Sequence, residues 1–302
     1  MSLITRPCDV CHLGDFGSGA GGSRFRLVFV VICRKAGEKI VFRRHLGLRS
    51  QKTMLKLLCV TAHPDDEAGA FGGTLLLYHD RGVETHVVCI TAGTAARNRG
   101  TARSNEDLAA MRRAELAASC KLLKVSQYEV LDYPDGKLNR ADLYQVVGDL
   151  TLRVRQIRPH VVLTFGPDGG LTGHVDHAMA GAFATLAFEW AGRPDRYPEQ
   201  LEQGLTPHRA QKLYYLTADF VLPDRQIIAP PTVTTRIEVG AERFEKKDEA
   251  FRQHLTQAPL FEKVKKNLGR HGGGVEMYHL AVTGDPREAK LETDLFEGVV
   301  EE

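Results

Sequence analysis

Short apolar segments alternate with longer segments of helical periodicity along most of this 302-residue chain. The apolar segments are rich in Val, Leu and Ile, as strands buried on both faces are, and they span residues 55–61, 84–91, 128–133, 160–165 and 212–217. The helical segments between them span residues 67–81, 105–123, 140–156 and 176–190. Because connections of this length join parallel strands, the order predicts an α/β fold: a Rossmann-like three-layer sandwich with a mainly parallel sheet and helices on both faces.

Three regions of the chain differ in composition. Residues 1–53 contain a Gly/Ser-rich stretch and a net charge of +7, from ten of the 40 Lys and Arg and three of the 38 acidic residues. We predict that they form a poorly ordered N-terminal extension with a single strand at 25–33. Residues 54–290 form the predicted domain, and 291–302 an acidic C-terminal tail. Within the domain, the β- and proline-rich stretch 218–245 predicts a small edge hairpin, which we expect to serve as a contact in a homo-oligomer.

Charge and apolar content exclude several classes of protein. The chain after residue 53 has a net charge of −5, which argues against a nucleic-acid-binding surface. The apolar run LVFVVIC has seven residues, whereas a membrane-spanning helix needs roughly 20. No transmembrane span is therefore predicted. Six cysteines are too few for a disulfide scaffold and favour a reducing, cytoplasmic location.

Two polar motifs follow the first and fourth predicted strands. Residues 62–67 read AHPDDE, and residues 173–177 read GHVDH. Ligands of open α/β sheets bind beyond the carboxyl ends of the strands, near the point where the strand order reverses. If the two strands are neighbours, as in the commonest doubly wound order, both motifs line one crevice. The sequence therefore predicts a functional site there.

The spacing within these motifs favours a metal site. His63 and Asp66 are three residues apart and project to the same side of a first helical turn, whereas Asp65 points elsewhere. His174 and His177 have the same spacing. Two imidazoles and one carboxylate suit Zn²⁺ and leave a fourth position open for water, as in catalytic zinc sites. Fe²⁺ or Mn²⁺ would also suit this set, because ligand type alone does not select the metal.

Together, AHPDDE and GHVDH resemble the motifs of the LmbE/PIG-L family of metal-dependent N-deacetylases over about residues 55–282. Three further stretches agree with the family pattern: Arg112-Arg113-Ala114-Glu115, Tyr133-Pro134-Asp135-Gly136, and the late series Lys247, Ala250, His254 and Gln257. The resemblance implies a hydrolase acting on C–N bonds other than peptide bonds. It would remove the N-acetyl group from a small-molecule N-acetylglucosamine-type conjugate by attack of a zinc-bound water.

The resemblance also implies roles for single residues. His63, Asp66 and His177 would bind the metal, and Asp65 would be the general base. His174 would stabilise the oxyanion and protonate the leaving amine, and Asp176 would hold and tune His174. These roles agree with the needs of amide hydrolysis, which requires an activated water, a base within hydrogen-bond reach of it and an acid for the departing nitrogen.

Substrate contacts are harder to assign, because loops at strand ends set substrate choice. Thr94 stands where many relatives carry an acidic residue, and Arg97 lies in a loop that matches no family pattern. Arg112 would contact a substrate hydroxyl or phosphate, or else pair with Glu115 on its own helix. His254 would reach the rim of the site, or else pack its own segment. We predict substrate contacts for Thr94, Arg97, Arg112 and His254.

Three other functions remain to be weighed. A metal-dependent amidase acting on a thiol conjugate, or on another non-sugar amide, would keep the site and change the substrate. A non-catalytic metal-binding protein would need neither Asp65 nor His174. A dinucleotide-binding protein would need a Gly-rich turn after the first strand, where this chain has AHPDDE, and two carboxylates would repel a pyrophosphate.

Overall fold

The computed structural model describes residues 27–35, 38–46, 54–220, 230–262, 274–284 and 291–301. The chain divides into two units, Met1–Thr53 and Met54–Glu302. In the first unit, β1 (Leu27–Lys35) and β2 (Glu38–Leu46) pair as an antiparallel two-stranded sheet, where the sequence predicts only one strand. The prediction that the rest of residues 1–53 is poorly ordered falls outside the described residues.

A seven-stranded sheet forms the centre of the second unit. Its strands are β3 (Lys56–Thr61), β4 (Glu84–Thr91), β5 (Gln127–Tyr133), β6 (Val161–Phe165), β7 (Lys212–Thr217), β8 (Thr235–Glu238) and β9 (Val275–Thr283). They are arranged in the order β5-β4-β3-β6-β7-β9-β8. The first five strands of this order are parallel. At one edge β9 pairs antiparallel with β7, and β8 pairs antiparallel with β9. The predicted α/β class and mainly parallel sheet are confirmed.

Among the described residues, seven α-helices connect these strands and lie on both faces of the sheet. They are α1 (Asp66–Gly69), α2 (Gly72–Asp80), α3 (Asn105–Leu122), α4 (Leu143–Ile157), α5 (Val175–Ala191), α6 (Pro198–Glu202) and α7 (Ala241–Phe251). The central strands β3 and β6 are buried almost throughout, which explains their continuous apolar runs. Within the described residues, no helix combines the length and apolar character that a membrane crossing requires.

The switch point of the sheet lies between β3 and β6. These strands pair in parallel, with Cys59 opposite Leu163. From β3 the chain passes to β4 on one side, and β6 lies on the other. The predicted pairing of the first and fourth strands of the domain is therefore confirmed, and the segments that follow both strands meet at one edge of the sheet.

Two predicted helices have different bounds in the structure. Residues 67–81 form two short helices, α1 and α2, which are interrupted at Ala70 and Phe71. The predicted helix at 140–156 begins later, at Leu143, because the Asp142 side chain accepts a hydrogen bond from Gln145 N and caps that end. A short 3₁₀ turn, Leu138–Arg140, precedes it.

The edge of the sheet and the C-terminus also differ from expectation. The stretch 218–245 forms no hairpin of its own in its described part: β8 pairs with β9, a strand the sequence analysis missed, and α7 begins at Ala241.

Residues 291–301 do not form a separate tail. Leu295 is fully buried, and Glu292 forms a buried ion pair with Lys212 at 2.8 Å, so apolar burial and charge pairing hold this segment against the sheet.

Candidate active site

The two polar motifs meet at the switch point. His63 follows β3 directly, and His174 caps the start of α5, which places His177 in its first turn. Close approach of α5 to β6 sets this position: at Gly181 a Cβ atom would lie 2.1 Å from the Phe165 carbonyl oxygen. The Phe165 ring also stacks on His177, with ring centroids 4.2 Å apart.

Three side chains that could ligate a metal ion form a small triangle, in which Asp66 faces each imidazole with a different oxygen. His63 Nδ1 lies 3.2 Å from His177 Nε2, His177 Nε2 lies 3.2 Å from Asp66 Oδ1, and His63 Nδ1 lies 3.6 Å from Asp66 Oδ2. Ligands about 2.1 Å from a tetrahedral zinc ion are themselves roughly 3.4 Å apart. The spacing of these groups therefore fits one such ion.

The opposite nitrogen of each imidazole has an acceptor. His177 Nδ1 lies 3.3 Å from the Gly169 carbonyl oxygen, and His63 Nε2 lies 3.1 Å from Asp135 Oδ1 and 3.5 Å from Asp176 Oδ2. With the protons on these outer nitrogens, the lone pairs of His63 Nδ1 and His177 Nε2 face each other and Asp66. Such outer acceptors are typical of metal-binding histidines, because they fix the tautomer and orient the ring.

The electrostatics of the cluster favour a cation. Burial opposes a positive charge on His63, but hydrogen bonds to Asp135, Asp176 and Asp66 raise its pKa well above the usual value. Burial likewise opposes ionisation of Asp66, but His177 and His63 hold the pKa of that carboxyl well below its usual range. Several carboxylates thus surround a point that a proton or a metal ion would neutralise.

Asp65 stands beside the triangle in a strained conformation. Its φ of 119° is in the left-handed region, which costs a residue with a side chain about 1–3 kcal/mol. Arg112 holds it there: one guanidinium nitrogen donates to Asp65 Oδ2 at 3.1 Å and to the Pro64 carbonyl oxygen. Burial raises the pKa of Asp65 to about 6, against the lowering effect of the Arg112 charge.

His174 lies on the open side of the cluster. Its ring centroid is 4.8 Å from that of His63 and 4.9 Å from that of His177, and the residue is exposed. Partial desolvation of the ring, followed by the charges of His177 and His63, lowers the pKa of His174. Asp176 N donates to His174 Nδ1 at 3.2 Å, so Nδ1 carries the lone pair and Nε2 carries the proton of the neutral ring.

The resemblance implies that the side chain of Asp176 holds His174, but in the structure the Asp176 carboxylate is directed elsewhere. Its carboxylate accepts hydrogen bonds from Gly136 N at 2.6 Å and Leu138 N at 3.2 Å, and it lies near His63 Nε2. These contacts join the turn after β5 to the first turn of α5. Asp176 reaches the His174 ring by its main-chain hydrogen bond, and the charge of its carboxylate opposes the lowering of the His174 pKa.

Two of the predicted substrate contacts are buried instead. Arg112 is 3% exposed, and its donors are directed at Gly93 O, Pro64 O and Asp65, so it pairs neither with a rim group nor with Glu115. His254 is fully buried, and its Nε2 lies 2.8 Å from Glu67 Oε1. Both residues therefore lie behind the site rather than at its mouth.

Thr94 and Arg97 lie in the loop that joins β4 to α3. Among the described residues, no hydrogen bond or ion pair joins either side chain to the histidine and aspartate cluster. Their substrate contacts stay predictions.

Sequence reasoning assigned no role to Asp135 or Glu67. Asp135 belongs to the Tyr-Pro-Asp-Gly turn after β5, and it contacts both His63 and Ala95 N. Glu67 is the last residue of AHPDDE, is fully buried, and accepts a hydrogen bond from Asp65 N at 2.9 Å. The sequence could have indicated a site role for Asp135, because a carboxylate after a third parallel strand lies at the same edge of the sheet. The contacts of Glu67 need the tertiary fold.

Fold and cluster together define the class: a hydrolase with a candidate metal site at the carboxyl ends of parallel strands. Residues 58–188 match the family model described as PIG-L, GlcNAc-PI de-N-acetylase. A 1D-myo-inositol 2-acetamido-2-deoxy-alpha-D-glucopyranoside deacetylase of Streptomyces avermitilis is 31% identical over 81% of this chain and 97% of its own length. The chain belongs to the PIG-L family of deacetylases and amidases, which confirms the predicted family and enzyme class.

Two further proteins are similar to this chain. The mycothiol S-conjugate amidase of Streptomyces coelicolor is 29% identical over 74% of this chain and 83% of its own length. The structure of the N,N'-diacetylchitobiose deacetylase from Pyrococcus horikoshii, complexed with its inhibitor MPG, has a TM-score of 0.61 at 26% identity, and the match covers 74% of this chain and 83% of that one.

Proposed function

We propose that this protein is a metal-dependent deacetylase that removes the N-acetyl group from an N-acetylglucosamine-type conjugate. The observation that carries the proposal is the triangle of His63, Asp66 and His177 beside a half-buried Asp65. The similarity to a deacetylase of an acetamido-deoxy-glucopyranoside supports the choice of substrate.

His63, Asp66 and His177 would hold the ion, for which we propose Zn²⁺, with Fe²⁺ or Mn²⁺ as the other candidates. Such an ion supplies Lewis acidity and lowers the pKa of water at the site. The outer hydrogen bonds of the two imidazoles support this assignment, because both inward nitrogens then present lone pairs. Asp135 and Asp176 orient the His63 ring through Nε2.

Asp65 would accept a proton from the attacking water. The hydrogen bond from Arg112 keeps the Asp65 carboxylate at a fixed place at the edge of the triangle. His174 would donate a hydrogen bond from Nε2 to the substrate oxygen as negative charge develops there. The resemblance implies that His174 also protonates the departing amine. Because a charged His174 would direct Nδ1–H at Asp176 N–H, we propose protonated Asp65 as the proton donor instead.

An amidase acting on a thiol conjugate is the second candidate, and similarity to the mycothiol S-conjugate amidase supports it. Both candidates use the same side chains and differ in the group that carries the amide. A non-catalytic metal-binding role would not explain the half-buried Asp65 carboxylate or its contact with Arg112. Among the described residues, three buried, unpaired cysteines support the proposal of a reducing, cytoplasmic location: Cys59, Cys89 and Cys120.

Metal analysis combined with amine-release assays tests the proposal. The protein is loaded with Zn²⁺, Fe²⁺ or Mn²⁺ and assayed on a panel of N-acetylglucosamine conjugates and thiol-conjugate amides. We expect one ion per chain and metal-dependent release of amine and acetate from an N-acetylglucosamine conjugate. Release from thiol conjugates alone would favour the amidase, and a metal-loaded protein that cleaves no amide would contradict both.

A further inference from the structure

The main chain of Asp65 depends on a buried carboxylate that does not reach the site. At Asp65, φ is 119°, a conformation that residues with a side chain rarely adopt. The Asp65 N–H donates to Glu67 Oε2 at 2.9 Å. Because the direction of the Asp65 side chain follows from this backbone conformation, the Glu67 contact helps to set where the Asp65 carboxylate points.

Glu67 is itself held from two other parts of the fold. Its second oxygen, Oε1, accepts from Ser119 Oγ at 2.5 Å, and it lies 2.8 Å from His254 Nε2. Ser119 belongs to α3, and His254 lies in the turn after α7. All three side chains are fully buried. One oxygen of Glu67 is thus anchored by two elements, which leaves the other directed at the Asp65 amide.

Burial excludes direct roles for these side chains. Glu67 and His254 have no exposed surface, so neither touches a substrate that enters from solvent. The hydrogen bonds of Glu67 also go to no member of the triangle. Any effect of Glu67 and His254 on catalysis must therefore act through Asp65.

We propose that Glu67, anchored by Ser119 and His254, is a positioning residue that fixes the Asp65 main chain and thereby aims the Asp65 carboxylate at the attacking water. The inference rests on the proposed function, in which Asp65 is the base. It accounts for an acidic residue directly after the metal-site aspartate and for a histidine buried far along the chain.

Glu67→Gln tests this role in the full-length, metal-loaded protein. Glutamine has nearly the same shape but no charge and one acceptor oxygen, so either its amide group faces the Asp65 N–H, or Ser119 Oγ and His254 Nε2 must change from donors to acceptors. Because small misplacements of a catalytic group are costly, we expect kcat to fall about tenfold or more, with KM within about twofold and bound metal unchanged. Ser119→Ala, a milder change in the same anchor, should lower kcat in the same direction.

A double-mutant comparison separates positioning from general loss of structure. In the Asp65→Asn background, Glu67→Gln should change residual kcat by less than about twofold, because the base it positions is already absent. Glu276→Gln is the matched control: Glu276 is also buried and accepts from Lys247 and Thr74, and it does not contact Asp65. This control should lower the melting temperature and leave kcat near that of the wild type.

Hydrogen exchange gives a readout that needs no activity. The Asp65 amide should exchange slowly in the wild type and faster in Glu67→Gln. An equal fall of kcat in both backgrounds, or an unchanged kcat in Glu67→Gln and Ser119→Ala, would overturn the inference while leaving the proposed function intact. A metal-loaded wild type that cleaves no amide would overturn the proposed function first, and the inference with it.

Discussion

Replacing Arg112 by lysine tests whether Arg112 holds Asp65 in place or binds substrate. The guanidinium donates to Gly93 O at 2.8 Å, to Pro64 O and to Asp65 Oδ2. At Gly93 a Cβ atom would lie 2.3 Å from Arg112 Nη1, so only glycine fits at this position. Arg112 therefore ties the ends of β3 and β4 to the carboxylate of Asp65.

Lysine keeps the charge but has one nitrogen where arginine uses two. We expect it to lose about two hydrogen bonds from a charged donor, each worth at least about 1.5 kcal/mol, so the free energy of unfolding should fall by about 3 kcal/mol or more. For a domain of this size that corresponds to a melting temperature lower by roughly 6–12 °C. Misplacement of Asp65 by about 1 Å should reduce kcat by about 10- to 100-fold.

Steady-state kinetics on the best substrate of the panel, thermal unfolding and metal analysis check this prediction. We expect kcat and the melting temperature to fall together, with KM within about threefold and metal content unchanged. Arg113→Lys is the control: this neighbour on α3 contacts Val130 O and Asp132 near the surface, so its effect should be within about 0.5 kcal/mol. A raised KM with normal kcat and normal stability would refute the reasoning and support a substrate contact.

Three other changes test separate parts of the account. Asp65→Asn should retain bound metal and lower kcat by roughly 10²- to 10⁴-fold, the usual contribution of a general base, as kinetics and metal analysis would show; loss of metal would contradict this role. His63→Ala should instead lower the bound metal in the same analysis, and normal metal content would contradict its place in the triangle. Burial opposes ionisation of Glu276, but the Lys247 charge lowers the pKa of this carboxyl in the folded protein. The ion pair therefore stabilises the fold fully above the unfolded-state pKa of about 4.3. This stabilisation is lost as the pH falls through the lower pKa of Glu276 in the folded protein. Chemical denaturation between about pH 2 and 6 should therefore show a shallower pH dependence for Glu276→Gln than for the wild type, and equal slopes would contradict the pair's contribution.

The sequence predicted the features that depend on local pattern. Continuous apolar runs mark β3 and β6 because both strands are buried on both faces, and the motifs at their ends place His63 and His177 in one crevice. The break between α1 and α2 was missed, since the glycines around it are compatible with either a bent helix or two helices.

Contacts between distant segments could not be read from the sequence. Lys247, Arg112 and His254 have charged or polar side chains that usually lie on a surface, but each is buried against a partner from another element. Asp176 has a carboxylate next to a histidine in sequence, yet the fold directs it to the turn after β5. Such pairings follow from how the elements pack, and no spacing along the chain encodes them.

A crystal structure of the zinc-loaded protein, with the ion located by its anomalous signal, tests the central claim most directly. We predict one ion about 2.0–2.2 Å from His63 Nδ1, His177 Nε2 and an oxygen of Asp66, with Asp65 and His174 close by but not bound. An ion held by His174, or one held between Asp135 and Asp176, would contradict the account.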